Sequence, residues 1–317
     1  MTFPFLSPIP PQPPEDLVKR AQAMATPRVA LVCAGAEKPL EGIREAAEAG
    51  LAEPVLIGER GAIAAAAESI GYDISGLRVV EAHPHDASHE AAALARAGEV
   101  DAIMKGQIHT SAFLKGLLPS KAGLRDKGAR CGHVFHITAP GHARPLLLTD
   151  GALNVDPSVE TREACLSHAV WLAQALGVAR PRAALLAPTE DPVPSVLNTM
   201  ESAAIAAWAK AHLPQADVAG PIAMDLILSK DAAAVKGYES PVSGDADIIV
   251  TPNITSGNAL FKLMVLGMGC CAAGIVLGAK VPILLTSRSQ AAAARITSAA
   301  LGVVVANATE CGGAPAR

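Results

Sequence analysis

Three short stretches gather residues able to hold a small anion. The first, Pro252-Asn253-Ile254-Thr255-Ser256-Gly257-Asn258, follows the β-like run Ile248-Ile249-Val250 and opens an apolar helical run. A strand feeding a Ser/Thr-Gly turn and then a helix is expected to aim free backbone N–H groups, and the positive end of the helix dipole, at one spot. Gly257 would let a ligand approach the backbone closely. The second, Pro282 to Leu285 followed by Thr286-Ser287-Arg288, sets two hydroxyls and a guanidinium after a strand, the edge at which α/β sheets bind ligands. The third, Met104-Lys105-Gly106-Gln107-Ile108-His109-Thr110-Ser111, follows another strand, with Lys115 one helical turn beyond Ser111. Each also reads as ordinary structure, because Ser/Thr turns cap helices without binding anything and surface lysines are commonly solvated.

The elements that must carry these stretches alternate along the chain. Strands are expected at Val29–Cys33, Val55–Ile57, Val79–Ala82 and Asp101–Met104, with helices at Leu40–Ala52, Ala62–Ile70 and His85–Ala97, the last capped by Asp86. Such alternation implies a parallel sheet with helices on both faces. Val134–Thr138 and Pro145–Thr149 read as paired strands, and Asp156-Pro157 as the start of a helix to about Leu176. Strands at Ala183–Ala187, Val218–Ala219 and Asp247–Val250 follow, with helices Val193–His212 and Met224–Ser229 among them. The tail reads as helix Gln290–Leu301 and a strand-like run Val303–Ala306. No internal repeat stands out. Residues 1–25 are expected to form an extended arm, since Pro4, Pro8, Pro10, Pro11, Pro13 and Pro14 crowd its middle.

Length and composition bound the rest. A chain of 317 residues suits two domains. A net charge of −4 offers no basic face to replace the counterions of nucleic acid. The six cysteines form no C-x-x-C, so no metal site is expected, and they read as buried thiols of a reducing compartment. The proline-rich start is unlike a secretory signal. Leu263–Ala279 carries no charge, but its glycines and the flanking Lys262 and Lys280 favour a helix, a turn and a buried strand over a membrane span. A cytoplasmic protein without a membrane partner is expected.

The order P-N-x-x-S-G-N, an apolar Gly-rich run, and then P-I-x-x-x-S-R resembles the phosphate acetyltransferase and phosphate butyryltransferase family. Pro252, Asn253, Gly257, Asn258, Pro282, Ser287 and Arg288 carry the likeness. The run M-K-G-x-x-x-T-x-x-x-L-K at 104–115 is similar to the butyryltransferase-like branch, with Lys115 where the acetyltransferase branch has Arg. Thr149-Asp150-Gly151-Ala152-Leu153-Asn154 matches a further T-D-x-A-x-N run, so Asp150 and Asn154 could face the cleft; alternatively Asp150 caps an interdomain turn. Together the matches span about Asp101 to Leu301.

The resemblance implies a two-domain α/β architecture of the isocitrate/isopropylmalate dehydrogenase-like type, mostly parallel sheets with an interdomain cleft as active site, in a homodimer. Domain I would hold 1–150 and about 285–317, and domain II 151–284. It implies acyl-CoA plus phosphate going reversibly to acyl phosphate plus CoA, with acetyl or butyryl as the acyl group. Coenzyme A would be a substrate, and no cofactor would be permanently bound. Arg288 would bind the transferred phosphate through its planar fork, and Ser287 would hydrogen-bond the reacting oxygen. Thr255, Ser256, Gly257 and Asn258 would help hold phosphate, and Lys105, His109, Thr110 and Lys115 would meet phosphate or CoA groups.

One departure concerns the proton. The acetyltransferase branch has an Asp six residues after the Arg; here that position is Ala294. His109 and Asp150 are the fallback bases, although a thiol with a pKa near ~8.5 is partly ionised without one. The basic run Pro119–Arg130, with Lys121, Arg125 and Lys127, is a candidate flap over a phosphate-bearing ligand. Two alternatives stay open: a metal- and nicotinamide-dependent dehydrogenase of the same fold, although Cys33-Ala34-Gly35-Ala36 gives no G-x-G-x-x-G, and a non-catalytic acyl-CoA-binding subunit.

Overall fold

The computed structural model describes residues 4–285 and 292–310. The chain divides into two compact units, one built on Pro10–Ala129 and the returning segment from Cys271, the other on Arg130–Cys270 with residues 4–9.

The first unit opens with α1 (Glu15–Gln22), which buries Leu17 and Ala21. A helix therefore stands inside the stretch expected to be an extended arm. Pro14 takes the N-cap position, where its missing N–H costs nothing, and Glu15 and Asp16 favour the first turn. Then β1 (Arg28–Val32), α2 (Glu37–Glu48), β2 (Glu53–Gly58), α3 (Arg60–Ser69), β3 (Arg78–Glu81), α4 (Ala87–Arg96), β4 (Ala102–Lys105) and α5 (Thr110–Leu117) alternate as the apolar runs require. β1 and β4 are buried almost throughout, as continuous aliphatic runs in a parallel sheet must be.

The second unit holds β5 (Gly132–Thr138), β6 (Leu146–Thr149), α6 (Val159–Ala175), β7 (Arg182–Leu186), α7 (Leu197–His212), β8 (Asp217–Ile222), α8 (Met224–Leu228), α9 (Lys230–Val235), β9 (Ile248–Val250) and α10 (Ile254–Lys262), which runs into a π turn at Leu263–Gly267. Its strands lie in the order β5-β6-β9-β7-β8, all parallel except the β5–β6 hairpin. Pairing of β6 with β9 places that hairpin in this unit, ahead of the division expected near Asp150. Ser158 rather than Asp156 caps α6, its Oγ accepting from the Thr161 N–H. Likewise α7 begins at Leu197, later than the expected Val193.

The chain then returns to the first unit as β10 (Cys271–Leu277), β11 (Ile283–Leu284) and α11 (Ala292–Glu310). That sheet reads β3-β2-β1-β4-β11-β10, with β11 parallel to β4 and antiparallel to β10. The fold is α/β with mostly parallel strands. The run Val303–Ala306 is helix, not strand: its four residues are buried within α11, which packs on β10 and α1, and burial overrides the β preference of valine.

One side-chain device recurs at strand starts in each unit. Asp101, just before β4, accepts from the Arg28 N–H at 2.8 Å and from its guanidinium at 2.6 and 2.9 Å. Asp247, just before β9, accepts from the Arg182 N–H at 2.9 Å and its Nε at 3.2 Å. Each carboxylate thus fixes the register of two neighbouring parallel strands at their N-terminal ends, leaving the opposite edge for chemistry. Among the described residues no helix is long and apolar enough to cross a membrane.

Candidate functional site

In the first unit β2 and β3 extend to one side of β1 while β4 lies on the other. The order reverses between β1 and β4, and the loops after these strands flank the crevice where α/β sheets bind ligands. Two backbone bonds tie the loops together: the Gly106 N–H donates to Val32 O at 2.9 Å and the Gln107 N–H to Cys33 O at 3.0 Å. A Cβ at Gly106 would stand 2.4 Å from Val32 O, so only glycine permits this crossing.

Lys105 ends β4 at this edge, opposite Val32; its side chain is buried, with Nζ 3.4 Å from Gly106 O. His109 follows at the N-cap position of α5, but its side chain does not cap the helix. The first helical bond is that of the Phe113 N–H to His109 O, at 2.9 Å. Among the described residues no carbonyl or side chain takes the N–H groups of Thr110, Ser111 and Ala112. The hydroxyls of Thr110 and Ser111 are exposed beside them, and Lys115 lies one turn further on. An uncapped helix start with three open donors, hydroxyls and cations matches what a phosphate group needs.

The start of α10 behaves differently. The Ile254 N–H donates to Val155 O at 3.1 Å, the Ser256 N–H to Asn253 Oδ1 at 3.0 Å, and the Gly257 N–H to Asn253 O at 3.2 Å. The Ser256 hydroxyl turns back onto Asn253, 2.9 Å from Oδ1 and 3.0 Å from O. The expected fan of free N–H groups is therefore largely consumed by an Asn cap, the commonest way to satisfy a helix start. Thr255 is exposed, and among the described residues neither its N–H nor its hydroxyl is engaged.

Gly257 serves the fold here. A Cβ there would stand 2.4 Å from Asp150 O and 2.8 Å from Gly151 Cα, so the close approach it allows is to its own chain. Asn258 Nδ2 donates to Gly151 O at 3.1 Å and Thr251 Oγ1 to Asp150 O at 2.9 Å, binding the two turns together.

Asp150 is the centre of that junction. Its buried carboxylate accepts five N–H groups: those of His133, Ala152, Leu153 and Asn154 at 2.9–3.3 Å, and Asn154 Nδ2 at 2.7 Å. Asn154 Nδ2 also reaches Cys131 O at 3.0 Å. A carboxylate so occupied anchors the turn, and Asn154 serves the same turn. His133 next to it is fully buried, both ring nitrogens unpartnered, and burial holds its pKa down at about 4 despite the Asp150 charge.

Thr286, Ser287 and Arg288 lie outside the described residues. The strand before them, β11, runs parallel to β4 with Leu284 opposite Met104. Ala294 is buried on α11. The basic run 119–130 is anchored at its middle: Arg125 donates to Leu118 O at 2.6 Å and Ala129 O at 2.5 Å, Leu124 is fully buried, and Arg96 donates to Ala122 O. Arg125 is thus a brace of the loop, Lys121 and Lys127 are exposed, and the exposed Arg130 donates through Nε to Thr161 Oγ1 at 3.1 Å.

Cys33 is the neighbour of the β4 edge that sequence reasoning passed over. It is the first residue after β1, with φ 58°, its thiol raised in pKa by burial and by Glu59 and lowered by Lys105. Only the turn that follows a strand at a switch point would have signalled it. Among the described residues no three His, Cys, Asp or Glu side chains stand in a metal-binding group.

The switch-point strand of this α/β fold thus ends in a buried lysine, and the helix after it starts uncapped, an arrangement suited to an anionic group. The family model described as phosphate acetyl/butaryl transferase matches residues 81–303, and the chain belongs to that family. It is 36% identical to a phosphate acetyltransferase of Rhizobium meliloti, over 90% of both chains. It is 32% identical to a phosphate butyryltransferase of Clostridium beijerinckii, over 92% of this chain and 97% of that one. Among solved structures, a branched-chain phosphotransacylase from Enterococcus faecalis superposes with a TM-score of 0.73 at 26% identity, covering 87% of this chain and 98% of that one.

Proposed function

We propose that the protein is a phosphate acyltransferase moving a short acyl group, acetyl or butyryl, reversibly between coenzyme A and inorganic phosphate. In one direction a phosphate oxygen attacks the thioester carbonyl, a tetrahedral oxyanion forms, and the CoA thiolate leaves. In the other, the thiolate attacks the acyl phosphate and phosphate leaves. No covalent enzyme intermediate is needed, so the protein's task is to bind dense negative charge and to stabilise the oxyanion.

The observation that carries this reading is the start of α5, where the N–H groups of Thr110, Ser111 and Ala112 meet no acceptor among the described residues, close in the chain to the buried Lys105. Lys105, Thr110, Ser111 and Lys115 would hold a phosphate of CoA or of the acyl phosphate, with His109 beside them. Arg288 would bind the transferred phosphate and Ser287 the reacting oxygen. Their place in the sequence, just after a strand parallel to β4, supports their serving the edge that Lys105 serves. Thr255 would add a hydroxyl and an N–H, while Ser256, Gly257 and Asn258 shape the turn that presents it. With Asp150 saturated and Ala294 apolar, the thiol ionises without a dedicated carboxylate, helped by neighbouring cations. A homodimer belongs to the same reading.

The test is phosphate-dependent release of free thiol from acetyl-CoA and butyryl-CoA, followed with a thiol reagent. Release that rises with phosphate and reverses on adding acyl phosphate and CoA is the expected result. Thiol release indifferent to phosphate for both thioesters would sink the proposal.

A further inference from the structure

Between α9 and the loop 237–245, which leads toward β9, lies a cavity of about 620 Å³, a volume in the range of small-molecule sites. Asp245, in its wall, precedes β9, whereas Thr251 and the start of α10 follow that strand. The cavity therefore stands at the other end of β9 from the turn that presents Thr255.

Its wall carries polar groups that the fold leaves unmet. The Ser243 side chain is 7% exposed, and its hydroxyl has no hydrogen-bond partner. Burying a hydroxyl unpaired is costly, and proteins rarely do so without a reason. Tyr238 is half-buried, and its hydroxyl bonds to no described residue; burial, with Glu190 adding to it, raises its pKa and keeps it a donor. The exposed Glu239 pairs with no cation among the described residues. Lys230 is loosely held, its Nζ 3.7 Å from Asp245 Oδ2, beyond hydrogen-bond range. Asp245 already accepts from Arg144 and Arg182, which Asp247 shares. Two guanidiniums balance those two carboxylates, so the charge of Lys230 is in excess.

We infer that this cavity binds a free α-amino acid with an aliphatic side chain. Its wall offers one under-paired cation, Lys230, to the carboxylate and one unpaired anion, Glu239, to the ammonium. The hydroxyls of Tyr238 and Ser243 are there to complete the hydrogen bonds of those two groups. A ligand of a single sign would meet a like charge in the same cavity, with nothing to offset it. A phosphate monoester would fare worst, since it would bring two negative charges to one ammonium beside Glu239, with both guanidiniums already engaged. Ala233, Ala234 and Pro241 supply the apolar part of the wall, against which an aliphatic side chain packs. The site is independent of the acyl-transfer reading.

Thermal unfolding of the full chain with each common α-amino acid, followed by calorimetric titration, tests this. An aliphatic amino acid such as L-leucine should raise Tm and bind at a single site per chain. The matching amine and acid, isoamylamine and isocaproate for L-leucine, should each bind about tenfold more weakly or worse. Glu239→Gln and Lys230→Met should each weaken the amino acid about tenfold or more, and leave thiol release in its absence unchanged. Lys105→Met, at the β4 edge, should bind it as wild type does. If Lys230→Met fails to fold, the exchange at the exposed Glu239 and the amine and acid decide. No rise in Tm with any amino acid, equal binding of the amine or of the acid, unaltered affinity in Glu239→Gln, or lost binding in Lys105→Met would each overturn the inference. Amino-acid binding of the expected kind without phosphate-dependent thiol release would sink the acyl-transfer reading and leave this site standing.

Discussion

Gly257 and Gly151 stand back to back: a Cβ on Gly257 would lie 2.8 Å from the Cα of Gly151, and one on Gly151 would lie 3.0 Å from the carbonyl carbon of Gly257. Neither backbone can retreat, because Thr251 and Asn258 tie the two turns together by hydrogen bonds. Gly257→Ala must therefore push the start of α10 away from the 149–154 turn. The expected loss is about 1–3 kcal/mol of stability, the usual cost of overpacking, measured by urea unfolding. Activity should fall further than stability predicts, since Thr255 moves with the helix. A fully stable and active Gly257→Ala protein would show that the turn gives way without consequence.

Asp150 gives a second prediction. Asp150→Asn removes the charge that collects five N–H groups and sets an amide N–H₂ among donors. Hydrogen bonds to a charged group contribute roughly 1.5–3 kcal/mol each when removed singly, though losses within one turn are not additive. The variant should be destabilised by about 3 kcal/mol or more. At a temperature where it stays folded, its pH–rate profile should keep the wild-type limbs. Loss of a limb would restore Asp150 as the general base.

What was legible beforehand follows from which signals are local. Strand ends and the Lys105 edge came from buried aliphatic runs flanked by polar turns, a pattern that needs no knowledge of distant contacts. By residue type Asp150 and Asn154 suit a cleft, or Asp150 a turn cap, and Ser256 suits a phosphate. Their hydrogen bonds are instead spent on backbone groups, in the case of Asp150 on the N–H of His133 as well as on its own turn. The helical Val303–Ala306 was hidden for a related reason: local β preference yields to burial against β10 and α1, which only the fold supplies.

Stability should depend on pH through two buried histidines. His136 has its pKa pushed by burial from 6.5 to about 4, and His133 likewise to about 4. Both must stay neutral when folded, while an unfolded histidine takes a proton near pH 6.5. The folded pKa lies below the unfolded one, so stability is full above about 6.5 and falls as pH drops toward about 4. For His136 the shift corresponds to roughly 3 kcal/mol over that window. Urea midpoints taken between these limits should decline, and His136→Leu should flatten part of the slope. A midpoint constant from neutral pH down to pH ~4.5 would contradict neutral burial of both rings.

The β4 edge yields the prediction closest to the chemistry. Lys105 is buried at the switch point beside the open start of α5, so its charge acts in a poorly solvated place where it is screened less than a surface lysine. Lys105→Met keeps the length and apolar stem and removes the cation. If Lys105 holds a phosphate of either substrate, KM for phosphate or for the CoA thioester should rise by about tenfold or more, a loss of about 1.4 kcal/mol. Lys115, exposed and screened, should show a smaller rise with the same substrate. If Arg288 binds the transferred phosphate, Arg288→Ala should lose kcat as well, because that guanidinium would also meet the charge that develops in the transition state. The three variants assayed side by side for thiol release separate binding from catalysis. Wild-type turnover in Arg288→Ala would remove Arg288 from the site, and an unchanged KM for both substrates in Lys105→Met would remove the β4 edge.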